Sequence, residues 1–232
     1  MTFRTVVETF RWNVCLCLFL SLNRTITAMS YSDFTLYELK SQFNLIFQER
    51  VELFNPVESV TPSSLLQEIL AENIPLALEI DTEKARSELI IAPILVELRK
   101  SFNRKISIFS GTEFTVDKQK GLNGKCDFLI SQSSEQLDIN APVATLVEAK
   151  NDNIKSGIPQ CIAEMIAAQL FNQQRNQPIS CIYGGVTTGS NWKFMKLVDN
   201  IVSIESGEQF IGNIELILGI LTQIIHTTFP QT

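Results

Sequence analysis

Histidine is nearly missing from this sequence: His226 is the only one in 232 residues. A Ser-His-Asp triad, a multi-histidine metal site or a histidine-based nuclease is therefore hard to build. No Gly-x-x-x-x-Gly-Lys-Ser/Thr loop occurs, so nothing argues for an ATPase phosphate cradle. Internal repeats and low-complexity tracts are absent as well. There is no basic excess: 19 Lys and Arg against 25 Asp and Glu give a formal net charge of -6. That argues against coating nucleic acid through bulk charge, while leaving room for a local basic groove. The five cysteines do not make a zinc or disulfide pattern. Cys15 and Cys17 are two apart with no second pair, and Cys126, Cys161 and Cys181 sit inside apolar runs. The expectation is buried free thiols in a reducing compartment, hence a cytoplasmic location.

What is present suits one domain. Apolar residues make up 45% of the chain, enough for a core. Residues 1–28 stand apart. Arg4 and Arg11 precede the apolar run Val14–Leu22, with Ala28 after it. The run imitates a signal peptide and is too short to span a bilayer. The reading preferred here is a disordered extension or a mis-assigned start before Met29, with secretion as the alternative. Residues 29–232 are expected to form the single domain, with a core over about 81–197.

Ser32 or Asp33 can cap a first helix with Leu36, Leu39, Phe43, Ile46 and Phe47 at helical spacing, broken at Asn55-Pro56. A second short helix opens at Pro62 and ends near Pro75. A third starts at Asp81, closes near Arg104 and is kinked or split by Pro93. Three strands follow, at 106–116 with Gly111 as a bulge, at 125–130 and at 144–150. Pro159 then opens a helix to Phe171, residues 179–183 read as a central strand, and short strands are expected near 192–197 and 201–204. A long apolar helix from Ile211 to His226 closes the chain. The fold class is α/β, a mixed sheet flanked by helices, with extra N-terminal helices and a C-terminal helix.

The chemistry gathers at the end of the third strand. Thr145-Leu-Val-Glu148-Ala-Lys150 climbs from an apolar run into two opposite charges. Residues two apart on a strand share a face, so Glu148 and Lys150 project together. The preceding strand carries Asp127 between Cys126 and Phe128, and a hairpin makes Asp127 and Glu148 cross-strand neighbours. Paired carboxylates repel unless something positive lies between them. Mg²⁺ is the natural occupant, with Mn²⁺ as a substitute, and the Ala149 carbonyl could add an oxygen. Lys150 could then orient an attacking water or offset phosphate charge. Glu-x-Lys alone is uninformative, since Glu38-Leu-Lys40 repeats it in a helical pattern; an ion pair across a strand face is the plainer alternative.

In context the pattern becomes specific. Gly124-Lys-Cys-Asp127, then Val147-Glu-Ala-Lys150, then Gln160 in the next helix resembles the PD-(D/E)xK nuclease superfamily, the restriction-endonuclease-like fold. Cys126 stands where the motif name has proline. The resemblance implies a metal-dependent nuclease that hydrolyses phosphodiester bonds, with DNA the expected substrate. It implies Asp127 and Glu148 as metal ligands, Glu88 as a helix acid joining them, Lys150 as the catalytic amine and Gln160 as its support. The competing reading is a catalytically silent fold that binds nucleic acid or protein.

Lys118, Lys120, Lys125 and Lys155 surround the motif in sequence and could form a groove for a phosphate backbone, or be ordinary surface lysines. Trp192-Lys-Phe-Met-Lys196 could stack on bases, but packing within a strand is preferred. Glu164, one turn after Gln160, is expected to be structural or solvated. No membrane partner is expected. The Ile- and Leu-rich terminal helix could support a homodimer.

Overall fold

The computed structural model describes residues 29–228. The expectations placed on residues 1–28, Cys15 and Cys17 among them, lie outside those residues. The chain folds as α/β, with a mixed eight-stranded sheet between two helical layers.

The first helix, α1 (Leu36–Phe43), starts where Thr35 and Glu38 cap each other. Thr35 Oγ1 accepts the Glu38 N–H at 3.2 Å, and Glu38 Oε2 accepts the Thr35 N–H at 2.8 Å. It ends earlier than the sequence suggests. Asn44 turns left-handed at φ 52°, and Ile46–Val51 becomes a strand, β1. Ile46 and Phe47 are thus strand residues; β1 pairs in parallel with β7 (Ile201–Glu205). The pairing is fixed from both sides: Ile46 N–H donates to Asn200 O, and Asn200 Nδ2 donates to Asn44 O.

Helix α2 (Ser64–Ile80) runs through Pro75 instead of stopping there. Its buried stripe, Leu66, Leu70 and Ala77, continues past the proline, and packing outweighs the missing backbone bond. The third predicted helix is split: α3 (Glu83–Arg86), a π-helical turn at Ser87–Ile91, and α4 (Ala92–Ser101). The turn shows in the Ala92 N–H, which donates to Ser87 O five residues back. Pro93 offers Leu89 O no partner; Asn73 Nδ2 takes that carbonyl at 2.9 Å.

Strands β2 (Ser107–Glu113), β3 (Lys125–Ser131) and β4 (Val143–Ala149) form an antiparallel meander. Gly111 in β2 has φ 59°, yet the β2–β3 register runs past it unshifted from Ser110↔Phe128 to Thr112↔Cys126, so the bulge expected there does not form. Helix α5 (Ile154–Gln174) begins where Asn153 Oδ1 accepts the Lys155 N–H, and leads back to β5 (Ile182–Thr187), which lies parallel to β4. Strand β6 (Asn191–Val198), β7 and the two-residue β8 (Gln209–Phe210) follow, then α6 (Ile214–Thr228). The strand order is β1-β7-β6-β5-β4-β3-β2, with β8 beside β6. At the free edge, Gln136 grips Ile108 of β2 twice, donating to its carbonyl at 2.6 Å and accepting its N–H at 3.3 Å.

Two clusters cover the sheet. Helices α2, α4 and α6 pack on Phe128, Val147, Ala149, Tyr183 and Phe194; α5 and the N-terminal segment pack on Leu129, Leu146, Val186 and Met195. Helix α6 spends its apolar face here: Ile217, Leu218, Ile220, Leu221, Ile224 and Ile225 are core residues. Ile211–Thr228 is long and apolar enough to cross a membrane by length and composition. Its buried residues nevertheless pack inside the fold, so they are not free to form the dimer contact considered for this helix.

Candidate active site

The site forms where two strands part. β3 and β4 pair as far as Phe128↔Val147. One step further, that register would set Asp127 opposite Glu148, but pairing stops short of them. Instead the Asp127 side chain fills the gap: its Oδ2 accepts the Ala149 N–H at 2.8 Å. β4 keeps its other neighbour, since Lys150 N–H donates to Thr187 O at 2.8 Å.

Glu148 points toward α5, opposite to Val147 and Ala149, and is only 1% exposed. Its Oε1 meets Lys150 Nζ at 2.5 Å, and the Lys150 ammonium also reaches Gln160 Oε1 at 3.4 Å. Gln160 Nε2 donates in turn to Glu164 Oε1 at 3.2 Å. Four polar side chains thus form a chain from β4 into α5, with Asp127 beside it. Burial, and secondly the Asp127 charge, pushes the Glu148 carboxyl up to about 8, against the pull of Lys150. Burial lowers Lys150, but the facing Glu148 carboxylate outweighs it and the net direction is upward. Both groups hold their protons tightly, Glu148 first through burial and Lys150 through the carboxylate it faces. Glu148 Oε2 and Glu164 Oε2 are buried without a hydrogen-bond partner.

The structure therefore brings together Asp127, Glu148, Lys150 and Gln160, with the Ala149 backbone between the first two. Glu88 does not join them. Ile90, Ile91, Ile94 and Leu95 turn into the core, which leaves Glu88 on the outer side, 64% exposed and 3.5 Å from Lys84. The helix acid whose charge reaches Glu148 and Lys150 is Glu83, at the start of α3. Among the described residues, no three His, Cys, Asp or Glu side chains converge as a metal-holding group. The lysines are spread over three elements. Lys118 and Lys120 lie on a turn beyond β2, Lys125 faces Glu113 across the β2–β3 pair, and Lys155 sits in the first turn of α5. Lys120 is paired with Asp117 at 3.3 Å. Trp192 and Phe194 are buried and pack within the core. Cys126, Cys161 and Cys181 are buried free thiols. His226 lies beside Phe102, with ring centroids 5.0 Å apart.

Two residues escaped the sequence reading, which leaves a third, Glu164, either structural or solvated. Glu164 is wholly buried, the structural alternative. Its signal was available: it is the only charged residue in the run Cys161–Ala168. Gly157 makes room for the Lys150 side chain; a Cβ there would lie 3.0 Å from Lys150 Cγ, 3.1 Å from Lys150 Cε and 2.7 Å from Val186 Cγ1. Arg86 ties α3 to the ends of β4 and β5, donating to Asn151 Oδ1 at 3.1 Å, Thr188 O at 3.0 Å and Asp81 Oδ1 at 3.0 Å. Neither of these last two has a sequence signature, because both act across long sequence separations.

Comparison with protein-family models and with curated proteins gives no match.

Proposed function

We infer that this chain is a Mg²⁺-dependent nuclease with a restriction-endonuclease-like core, hydrolysing phosphodiester bonds in DNA. The observation that carries the reading is the meeting of Asp127, Glu148 and Lys150 at the parted end of β3 and β4. The order helix, three antiparallel strands, helix and parallel strand supports the core assignment.

The donors suit a hard cation. They are all oxygens, and Glu148 Oε2 is buried without a partner. Mg²⁺ needs only one or two carboxylates, with water and phosphate completing its shell. Asp127 and Glu148 would hold it, the Ala149 carbonyl adding a third oxygen. When bound, it would polarise the phosphate and offset the charge that develops there. The chain's own residues do the rest. Lys150 presents an ammonium, held by Glu148 and Gln160, where it can steer a water or neutralise phosphate oxygens. Burial, and secondly the Asp127 charge, favour the neutral form of Glu148, so a bound cation would have to displace that proton and binding would strengthen as pH rises.

The test is purified protein with Mg²⁺ or Mn²⁺ on single-stranded, duplex and branched DNA. Cleavage lost in Lys150→Ala supports the nuclease. Metal binding without cutting of any substrate would instead favour a silent binding module, a rival kept open by the acidic balance of the chain and by the absence of a third converging acid among the described residues.

A further inference from the structure

One buried acid is left over by the nuclease reading. Glu164 is fully enclosed, and among the described residues its side chain has a single hydrogen bond, from Gln160. α5 turns Gly157, Gln160 and Glu164 toward Lys150 at spacings of three and four, one helical face. Gly157 lets the Lys150 stem lie against the helix. At the head of that stem, the ammonium has donors only, so it fixes which way the Gln160 amide points: Oε1 toward Lys150. Gln160 Nε2 must then point away, into the helix–sheet interior, where an amide without an acceptor is costly. Glu164 Oε1 supplies that acceptor at 3.2 Å.

We propose that Glu164 is a positioning residue that clamps the Gln160 amide so that its oxygen faces the Lys150 ammonium. The use made of Lys150 rests on the nuclease reading; the clamp rests on the geometry alone. A residue of equal size without an acceptor would leave Gln160 free to swing, and the lysine would lose one of its two anchors.

The clamp is read by side-chain amide NMR of Gln160, which needs no catalysis. In the unaltered protein the Gln160 Nε2 protons should exchange with solvent at least tenfold more slowly than those of exposed glutamines. Glu164→Met keeps the volume and removes the acceptor; the Gln160 signal should shift and lose protection. Glu164→Gln retains a carbonyl and should preserve both. On DNA with Mg²⁺, Glu164→Met should lower kcat about tenfold with KM unchanged, and Glu164→Gln should recover most of it. An unprotected Gln160 amide in the unaltered protein overturns the clamp, whether or not the variants fold. So does a Glu164→Met variant with an unchanged Gln160 signal. If the signal moves as expected but no form cuts DNA, the clamp stands and the nuclease reading falls.

Discussion

The Asp127 carboxylate accepts the Ala149 N–H at 2.8 Å, in the gap where β3 and β4 stop pairing. One side chain therefore does two jobs: it closes a backbone vacancy and presents negative charge beside Glu148. Asparagine separates them. Asp127→Asn retains an acceptor oxygen and should change stability by less than about 1 kcal/mol, while cleavage with Mg²⁺ falls about 100-fold or more. Asp127→Ala should also lose about 1–3 kcal/mol, because the amide is left unpaired. Thermal unfolding and a cleavage assay on the same samples check both; an Asn variant that cuts at the normal rate removes Asp127 from the chemistry.

Gly157→Ala drives a methyl into Val186 and the Lys150 stem. Overpacking of this kind costs about 1–3 kcal/mol, and displacement of the amine should lower kcat about tenfold. Denaturant unfolding alongside steady-state kinetics is the measurement. Lost stability with full turnover would show that the lysine tolerates the push.

The two helix acids should behave differently. Glu88→Gln removes an exposed partner of Lys84 and should leave cleavage within about twofold. Glu83→Gln removes a charge that reaches Glu148 and Lys150, and should change Mg²⁺-dependent activity by about two- to tenfold. Metal titrations of the two variants, run side by side, decide it; equal effects would contradict the placement of α3.

Burial raises Glu148 from the usual 4.5 to about 8, so the folded state binds this proton more tightly than the unfolded chain. The corresponding stability is fully present below about pH 4.5 and is lost as pH rises through 8. Glu164, raised for the same first cause, acts with the same sign. Lys150, also raised, contributes stability that is lost only on the alkaline side of its usual 10.5, outside this window. Unfolding free energy should therefore fall between pH 5 and 8, on the order of 2–4 kcal/mol from Glu148. Glu148→Gln should flatten much of that slope in urea titrations; a level profile in the unaltered protein would refute it.

Apolar runs and turn residues, which are local signals, placed β3, β4 and the cluster at the end of β4 in the sequence. They mark α5 and β5 with shifted bounds: α5 starts at Ile154 with Pro159 inside it, and β5 (Ile182–Thr187) shares only its first two residues with the expected strand. The strand at Ile46–Val51 was hidden. Its residues continue a helical spacing, and only β7, about 150 residues later, makes them a strand. Pro75 misled for a related reason: the stripe of α2 is set by what it packs on. Glu88 looked right by motif and is displaced by helical phase, while the charge of Glu83 is the one that reaches Glu148 and Lys150. Gly157 and Arg86 were illegible, since their roles exist only once α5 and α3 lie against the sheet.

Gln136 holds both backbone atoms of Ile108 on the outermost strand. A glutamine amide has the same donor and acceptor as a peptide unit, so it imitates one residue of a ninth strand and ends the ladder there. At that position a stray polypeptide finds no unpaired groups to template on, so one side chain blocks β-addition at Ile108 of this edge.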